Sequence, residues 1–423
     1  MLDVKFIREN TELVKQALKN RGYDFDLDAF LQLDEKRRDL IKKIENIRFQ
    51  KNKANEEIKA LLKEKKDVSS QIQVTKRLSQ ELDTLEEEFK KVKQEFNWQV
   101  LNIPNIPHSS IPVGDASANK IVFTKGRVRK FNFKPLTHIE LGEHLGIFDF
   151  KKAAKICGSN FILFEGEGAK LERALINFML NLHTKEHGYK EVFPPFLVNR
   201  TSMTTTGQLP KLEEDMYRLR DDDYFLIPTA EVPVTNIYRE DILEEKELPI
   251  YYVSYTACFR REAGSYGKET KGLVRVHQFD KVELVKFTTP QSSYQELEKL
   301  LGDACRVIEL LELPYRVILL ATAELSFAAT KCYDIEVYAP GIQQWLEVSS
   351  CSNFEDFQAR RGNIRYREAG SGKLRFVHTL NGSGVALARL VIAILENYQQ
   401  KDGSVVIPKV LRKYLDGRKK LTK

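Results

Sequence analysis

The 423-residue sequence is poor in cysteine: Cys157, Cys258, Cys305, Cys332 and Cys351 stand singly, with no CxxC pair and no Cys/His cluster. An odd, dispersed set argues against a disulfide framework and against structural zinc, so free thiols in a reducing compartment are expected. Long hydrophobic runs are missing too. No stretch approaches the ~18 uncharged apolar residues of a membrane span, and the opening residues hold no unbroken apolar segment of a signal peptide. A membrane role is therefore not expected, and the cytoplasm is the expected location. Neither GxGxxG nor GxxxxGK[ST] occurs, which removes the P-loop and Rossmann phosphate sites.

Glycine and proline are both absent from Asp28 to Gln99. In their place apolar residues recur every seven positions: Leu33, Leu40, Ile47, Ala54 and Leu61, then Leu78, Leu85 and Val92, with Ile44, Ile58, Leu82, Phe89 and Phe96 on the neighbouring seam. Such heptads keep one apolar stripe facing a partner helix. The polar stretch from Lys63 to Ser70 between the runs predicts an antiparallel helical hairpin projecting into solvent, with a dimerisation coiled coil as the competing reading. Arg37, Lys51 and Thr75 fall on the seam and make it imperfect. From Lys36 to Lys66 there are 12 basic and 5 acidic residues, an excess equal to the +7 of the whole chain, and Lys409 to Lys423 is basic again. Segregated positive charge suits a polyanion, although a solvated helix face is the alternative.

Three prolines between Leu101 and Asp115 mark a boundary. The expected organisation is an N-terminal domain over residues 1–100, a linker over 101–120 and a larger domain over 121–423. In the last, Ala169–His187 reads as an amphipathic helix followed by a short strand, and strand-like segments then succeed one another at 224–227, 253–261, 274–287, 315–321, 333–338 and 344–350. Strands without βαβ alternation predict an α+β fold, an antiparallel sheet flanked by helices.

Three clusters carry chemistry. Residues 385–395 are apolar apart from Arg389, which predicts a buried helix holding one costly guanidinium. That group faces either a carboxylate or a ligand phosphate, and Gly382 and Gly384 would let a substrate approach the backbone. In Cys258–Ser265, strand alternation sets Arg260 and Glu262 on one face and Arg261 on the other. Glu231, Glu283 and Glu347 are acidic residues at strand ends, each unremarkable alone.

Taken in order, these segments resemble the seryl-tRNA synthetase family over essentially the whole chain. Gly188–Pro195, Phe259–Phe279 and Gly382–Arg389 are similar to the three class II synthetase motifs. Asn102–His108, Thr206–Lys211, Glu347–Asn353 and Asp356–Arg361 narrow the likeness to the serine enzymes. The resemblance implies a class II antiparallel sheet with a coiled-coil arm, and ATP-dependent activation of L-serine followed by transfer to tRNA(Ser), with tRNA(Sec) as a second acceptor to be tested. It implies a homodimer built on the first motif. It also assigns roles: Thr229, Ala230, Glu231, Glu283 and Ser383 for serine; Arg260, Arg261, Glu262, Val276, Phe279, Glu347, Val348, Ser349, Ser350 and Arg389 for ATP; Arg260 and Arg389 for catalysis; Glu347 and Ser350 for Mg²⁺. Arg261, Lys271 and Thr205 depart from the family pattern. A regulatory or RNA-binding paralogue, and a ligase that loads a carrier protein, are the rival functions.

Overall fold

The computed structural model describes residues 1–263 and 272–423, arranged as two compact units. One comprises residues 2–19 and 23–104, and is dominated by helices α1 (Leu27–Lys63) and α2 (Ser69–Leu101). At ~1.5 Å per residue they are about 55 and 50 Å long. Asp26 caps α1 by accepting the Ala29 N–H at 2.9 Å. Leu40, Ile44, Ile47 and Ala54 of α1 are buried, as are Leu78, Leu82, Val92 and Phe96 of α2. Ile44 and Ile47 cluster with Leu78 and Leu82, so the heptad stripe is covered within one chain. The imperfect seam also has a physical account. Arg37 donates to the fully buried Asp34 at 2.8 Å and lies 4.4 Å from the centre of the Phe96 ring. Burial alone would raise the Asp34 carboxyl, but hydrogen bonds from Arg37 and Arg8 outweigh it and hold the group below its ordinary value.

The other unit comprises residues 1, 20–22 and 105–423. Its leading segment is tied down: Asn105 Nδ2 donates to the Ala328 and Phe354 carbonyls, both at 2.8 Å, and the His108 N–H to the Thr330 carbonyl. The principal elements are β1 (Lys120–Lys125), α3 (His138–Leu145), α4 (Glu167–Lys185), β2 (Lys190–Glu191), β3 (Ile250–Phe259), β4 (Gln278–Thr288), α5 (Ser293–Leu310), β5 (Tyr315–Leu319), β6 (Lys331–Ala339), β7 (Gln344–Asn353), β8 (His378–Ala386) and α6 (Leu387–Tyr398). Among the described residues the strands form an eight-stranded sheet in the order β1-β5-β6-β7-β8-β4-β3-β2, antiparallel except where the edge strand β2 runs parallel to β3.

Three local readings are corrected. The helix expected over 385–395 starts two residues later, at Leu387: Val385 and Ala386 still complete β8, paired with β4. Gly382 and Gly384 consequently serve packing, since a Cβ on Gly382 would sit 2.3 Å from Leu300 of α5 and one on Gly384 3.1 Å from His183 Nε2. The short strand after α4 shrinks to two residues, and the expected strand start at Val274 moves to Gln278.

Candidate active site

One face of the sheet is covered by helices and the other opens into a cleft of about 570 Å³. Alternation along β4 sends Phe279, Lys281 and Glu283 to the cleft; from β8 come Asn381 and Ser383, and from β7 Val348, Ser350 and Ser352. Ser383 lies directly opposite Glu283 in the β8/β4 register. Between Ile335 and Glu336 the β6/β7 register slips by one, a bulge that lets Glu347 line the cleft beside Val348.

At one end a buried polar cluster forms. Asn381 Nδ2 donates to Glu231 Oε2 at 2.9 Å and to Glu283 Oε1 at 3.2 Å, while Gln358 Nε2 donates to Glu231 Oε1 at 2.5 Å. Lys281 Nζ donates to Thr229 Oγ1 at 2.9 Å and stands 2.7 Å from Glu283 Oε2. That close pair is poorly aligned, so Glu283 Oε2 is buried at the cleft with no formed hydrogen bond. Burial, reinforced by Glu283, pushes the Glu231 carboxyl up to about 7. A buried, incompletely satisfied acceptor beside two carboxyls suits a ligand bringing an ammonium and a hydroxyl.

The other end suits a nucleotide triphosphate. The Arg260 guanidinium lies 5.3 Å from the centre of the Phe279 ring. Glu262 Oε2 accepts from Arg275 Nη1 at 2.9 Å. Arg389 is the one residue of α6 that is not buried; its side chain is 26% exposed. Its Nε donates to the Val274 carbonyl at 3.2 Å and its Nη1 to the Glu347 carbonyl at 2.8 Å, with the Glu347 carboxylate at 3.3 Å. The expected buried charge is thus a cleft-facing one, paired but still presented to solvent. The donors around Glu347 are mainly oxygen: its own carboxylate, Ser350, and the Asp334 carboxyl opposite Ser350, which burial and the neighbouring Glu347 push up to about 8; the Cys332 thiol lies 3.1 Å from Ser350 Oγ. A hard divalent cation fits such a set, because it would offset the repulsion between the two carboxyls.

Of the sequence-chosen residues, Thr229, Glu231, Arg260, Glu262, Val276, Phe279, Glu283, Glu347, Val348, Ser350, Ser383 and Arg389 all line this cleft. Three side chains lie elsewhere. Ala230 packs into the core with Val234 and Tyr252, Ser349 Oγ donates to the Ser383 carbonyl at 2.6 Å, and Arg261 is exposed with its N–H on the Asp215 carbonyl. Glu262 reaches the cleft for a reason other than strand alternation: β3 ends at Phe259, and Glu262 has φ = 51°. Gly264, Ser265 and Lys271 lie outside the described residues. Sequence reasoning misses Lys281, Asn381, Gln358 and Asp334; Lys281 and Asn381 carry a periodicity signal, standing two residues before Glu283 and Ser383 on their strands.

Comparison with known proteins shows the family. The family model for the seryl-tRNA synthetase N-terminal domain matches residues 1–107, and that for the tRNA synthetase class II core domain (G, H, P, S and T) matches residues 213–398. A relative from Carboxydothermus hydrogenoformans named serine–tRNA ligase is 55% identical over 98% of each chain, and one of the same name from Acetivibrio thermocellus is 56% identical over 99% of each. The crystal structure of seryl-tRNA synthetase from Pyrococcus horikoshii complexed with ATP superimposes with a TM-score of 0.92 at 38% identity, covering 100% of this chain and 99% of that one.

Proposed function

We propose that this chain, which belongs to the seryl-tRNA synthetase family, is a serine–tRNA ligase that activates L-serine with ATP in the cleft and passes the seryl group to tRNA(Ser). The observation that carries the reading is one cleft holding the Glu231–Asn381–Glu283–Lys281 cluster beside Arg260, Phe279 and Arg389. In this reading Thr229 and Glu231, with the Ala230 backbone between them, receive the serine ammonium, and Glu283 and Ser383 receive its hydroxyl. A partner built for that hydroxyl rejects alanine because alanine leaves it unpaired, by ~10⁴ or more in the most favourable sites.

Val276, Phe279 and Glu262 hold adenine, and Arg261, Val348 and Ser349 belong to the segments that carry the ATP contacts. Serine's carboxylate is ionised near neutral pH, so its oxygen attacks the α-phosphorus without a general base, forming the acyl phosphate bond as the bond to pyrophosphate breaks. Arg260 neutralises charge on the α-phosphate and Arg389 on the γ-phosphate. Glu347 and Ser350, with Asp334 at hand, would hold Mg²⁺, which supplies further neutralisation of the phosphate oxygens. A ribose hydroxyl of the tRNA 3′ end then takes the seryl group from the adenylate, and AMP leaves.

The α1–α2 arm, with its basic stretch from Lys36 to Lys66, suits the tRNA backbone, with affinity that falls as salt rises. Residues 1–100 then act as the tRNA-binding domain, 101–120 as the connection and 121–423 as the catalytic domain of a cytoplasmic homodimer. Aminoacylation of purified tRNA(Ser) and tRNA(Sec) with a panel of amino acids tests the reading. Serine alone should be esterified; charging of another amino acid, or none, would overturn it.

A further inference from the structure

Helix α6 carries Arg389 and, two turns on, Glu396, on the same stripe of the helix at a spacing of seven residues. Glu396 is fully buried, and its carboxylate accepts from the His138 N–H at 2.9 Å, His138 Nδ1 at 3.0 Å, the Gly341 N–H at 2.8 Å and the Ile342 N–H at 3.1 Å. The opposite ring nitrogen, His138 Nε2, accepts the Leu273 N–H at 3.2 Å. From Leu273 one peptide unit leads to the Val274 carbonyl, which accepts Arg389 Nε at 3.2 Å. The chain of contacts therefore closes on itself, from α6 through the imidazole and the 272–274 backbone and back to α6. Gly272 fits this closure twice over: its φ is +74°, and a Cβ there would lie 2.2 Å from His138 Nε2.

We propose that His138 is a positioning residue for the ATP site, clamping the Leu273 amide so that Val274 aims Arg389 and Val276 lines the adenine end of the cleft. It touches no substrate and acts through the backbone. The role rests on the functional reading above. Because Leu273 N–H donates to Nε2, the ring must be the neutral tautomer with its proton on Nδ1, directed at Glu396. The imidazole is buried, with 1% of its side chain exposed, so water offers no substitute partner.

Two substitutions separate the two nitrogens. In His138→Gln the amide oxygen can replace Nε2 as the acceptor for Leu273, whereas in His138→Asn the amide replaces only Nδ1 and leaves Leu273 unpaired. In serine-dependent ATP–pyrophosphate exchange, the Asn variant should raise the KM for ATP about tenfold with the KM for serine changed less than about twofold, and the Gln variant should restore the ATP value to within about threefold. Equal behaviour of the two variants, or parallel shifts in both KM values, would overturn the proposal. Should either variant fail to fold, ¹⁵N NMR of histidine-labelled wild-type protein decides: His138 protonated on Nδ1 alone supports the clamp, and a proton on Nε2 overturns it. A wild type without serine-dependent exchange would sink the functional reading while leaving the tautomer measurement to judge the clamp.

Discussion

Strand β4 presents two buried lysines, one toward each side of the sheet, and each is paired with a glutamate. Lys286, facing the helices, lies 2.8 Å from Glu296 Oε2 on α5 and also donates to the Glu296 carbonyl; its ammonium sits 4.4 Å from the centre of the Tyr251 ring, and Tyr251 Oη donates to the same carboxylate at 2.7 Å. Lys281, facing the cleft, lies as close to Glu283, yet Glu283 Oε2 is left without a formed hydrogen bond. Proximity is the same in both and both lysines are buried, although Glu296 is 13% exposed where Glu283 is 1%; saturation differs. A buried ion pair is costly to assemble, and a completed one argues for architecture, whereas an incomplete one beside a cavity argues for a missing ligand group.

The contrast can be broken in two ways. Removing Glu296 leaves a fully buried ammonium with the residue-296 carbonyl, the Tyr251 ring and Asp303 Oδ2 at 4.0 Å, so Glu296→Ala should lower unfolding free energy by about 3 kcal/mol in a urea titration, and Lys286→Met with Glu296→Leu should recover much of it. Neither change should alter the KM for serine or ATP in the protein that remains folded. A smaller effect is expected at Glu231. Its folded value of about 7 stands above its ordinary value of 4.5, so its contribution to the stability of the serine-free protein is fully present below 4.5 and is lost as pH rises through 7. The Tm of the free protein should therefore decline across pH 5–8 more steeply than that of Glu231→Gln. Over the same range kcat/KM for serine should rise, by up to about tenfold per unit below pH 7, because the substrate ammonium needs the ionised carboxylate.

Much of this was legible before any coordinates. Heptads declare their partner face residue by residue, so Leu40, Ile47, Leu78 and Val92 could be read directly, and so could the succession of strands. The β8–α6 junction was not legible, because Val385 to Leu387 is apolar on both sides of the boundary and periodicity has nothing to distinguish there. Arg389 stands out in sequence as a charge that is costly inside an apolar helix, but its partly exposed place at the cleft follows from where β7 and the Val274 backbone lie, which is tertiary information. The bulge that turns Glu347 into the cleft and the positive φ that turns Glu262 leave no pattern in sequence. Asn381 and Gln358 are single polar residues among apolar ones, and only long-range packing brings their amides onto Glu231.

The most direct test of the unsaturated cluster is kinetic. Glu283→Ala, assayed by ATP–pyrophosphate exchange, should raise the KM for serine by about tenfold to a hundredfold while moving the KM for ATP less than about threefold. An equal rise for both substrates, or an unchanged serine KM, would contradict the assignment of that carboxylate to the substrate hydroxyl.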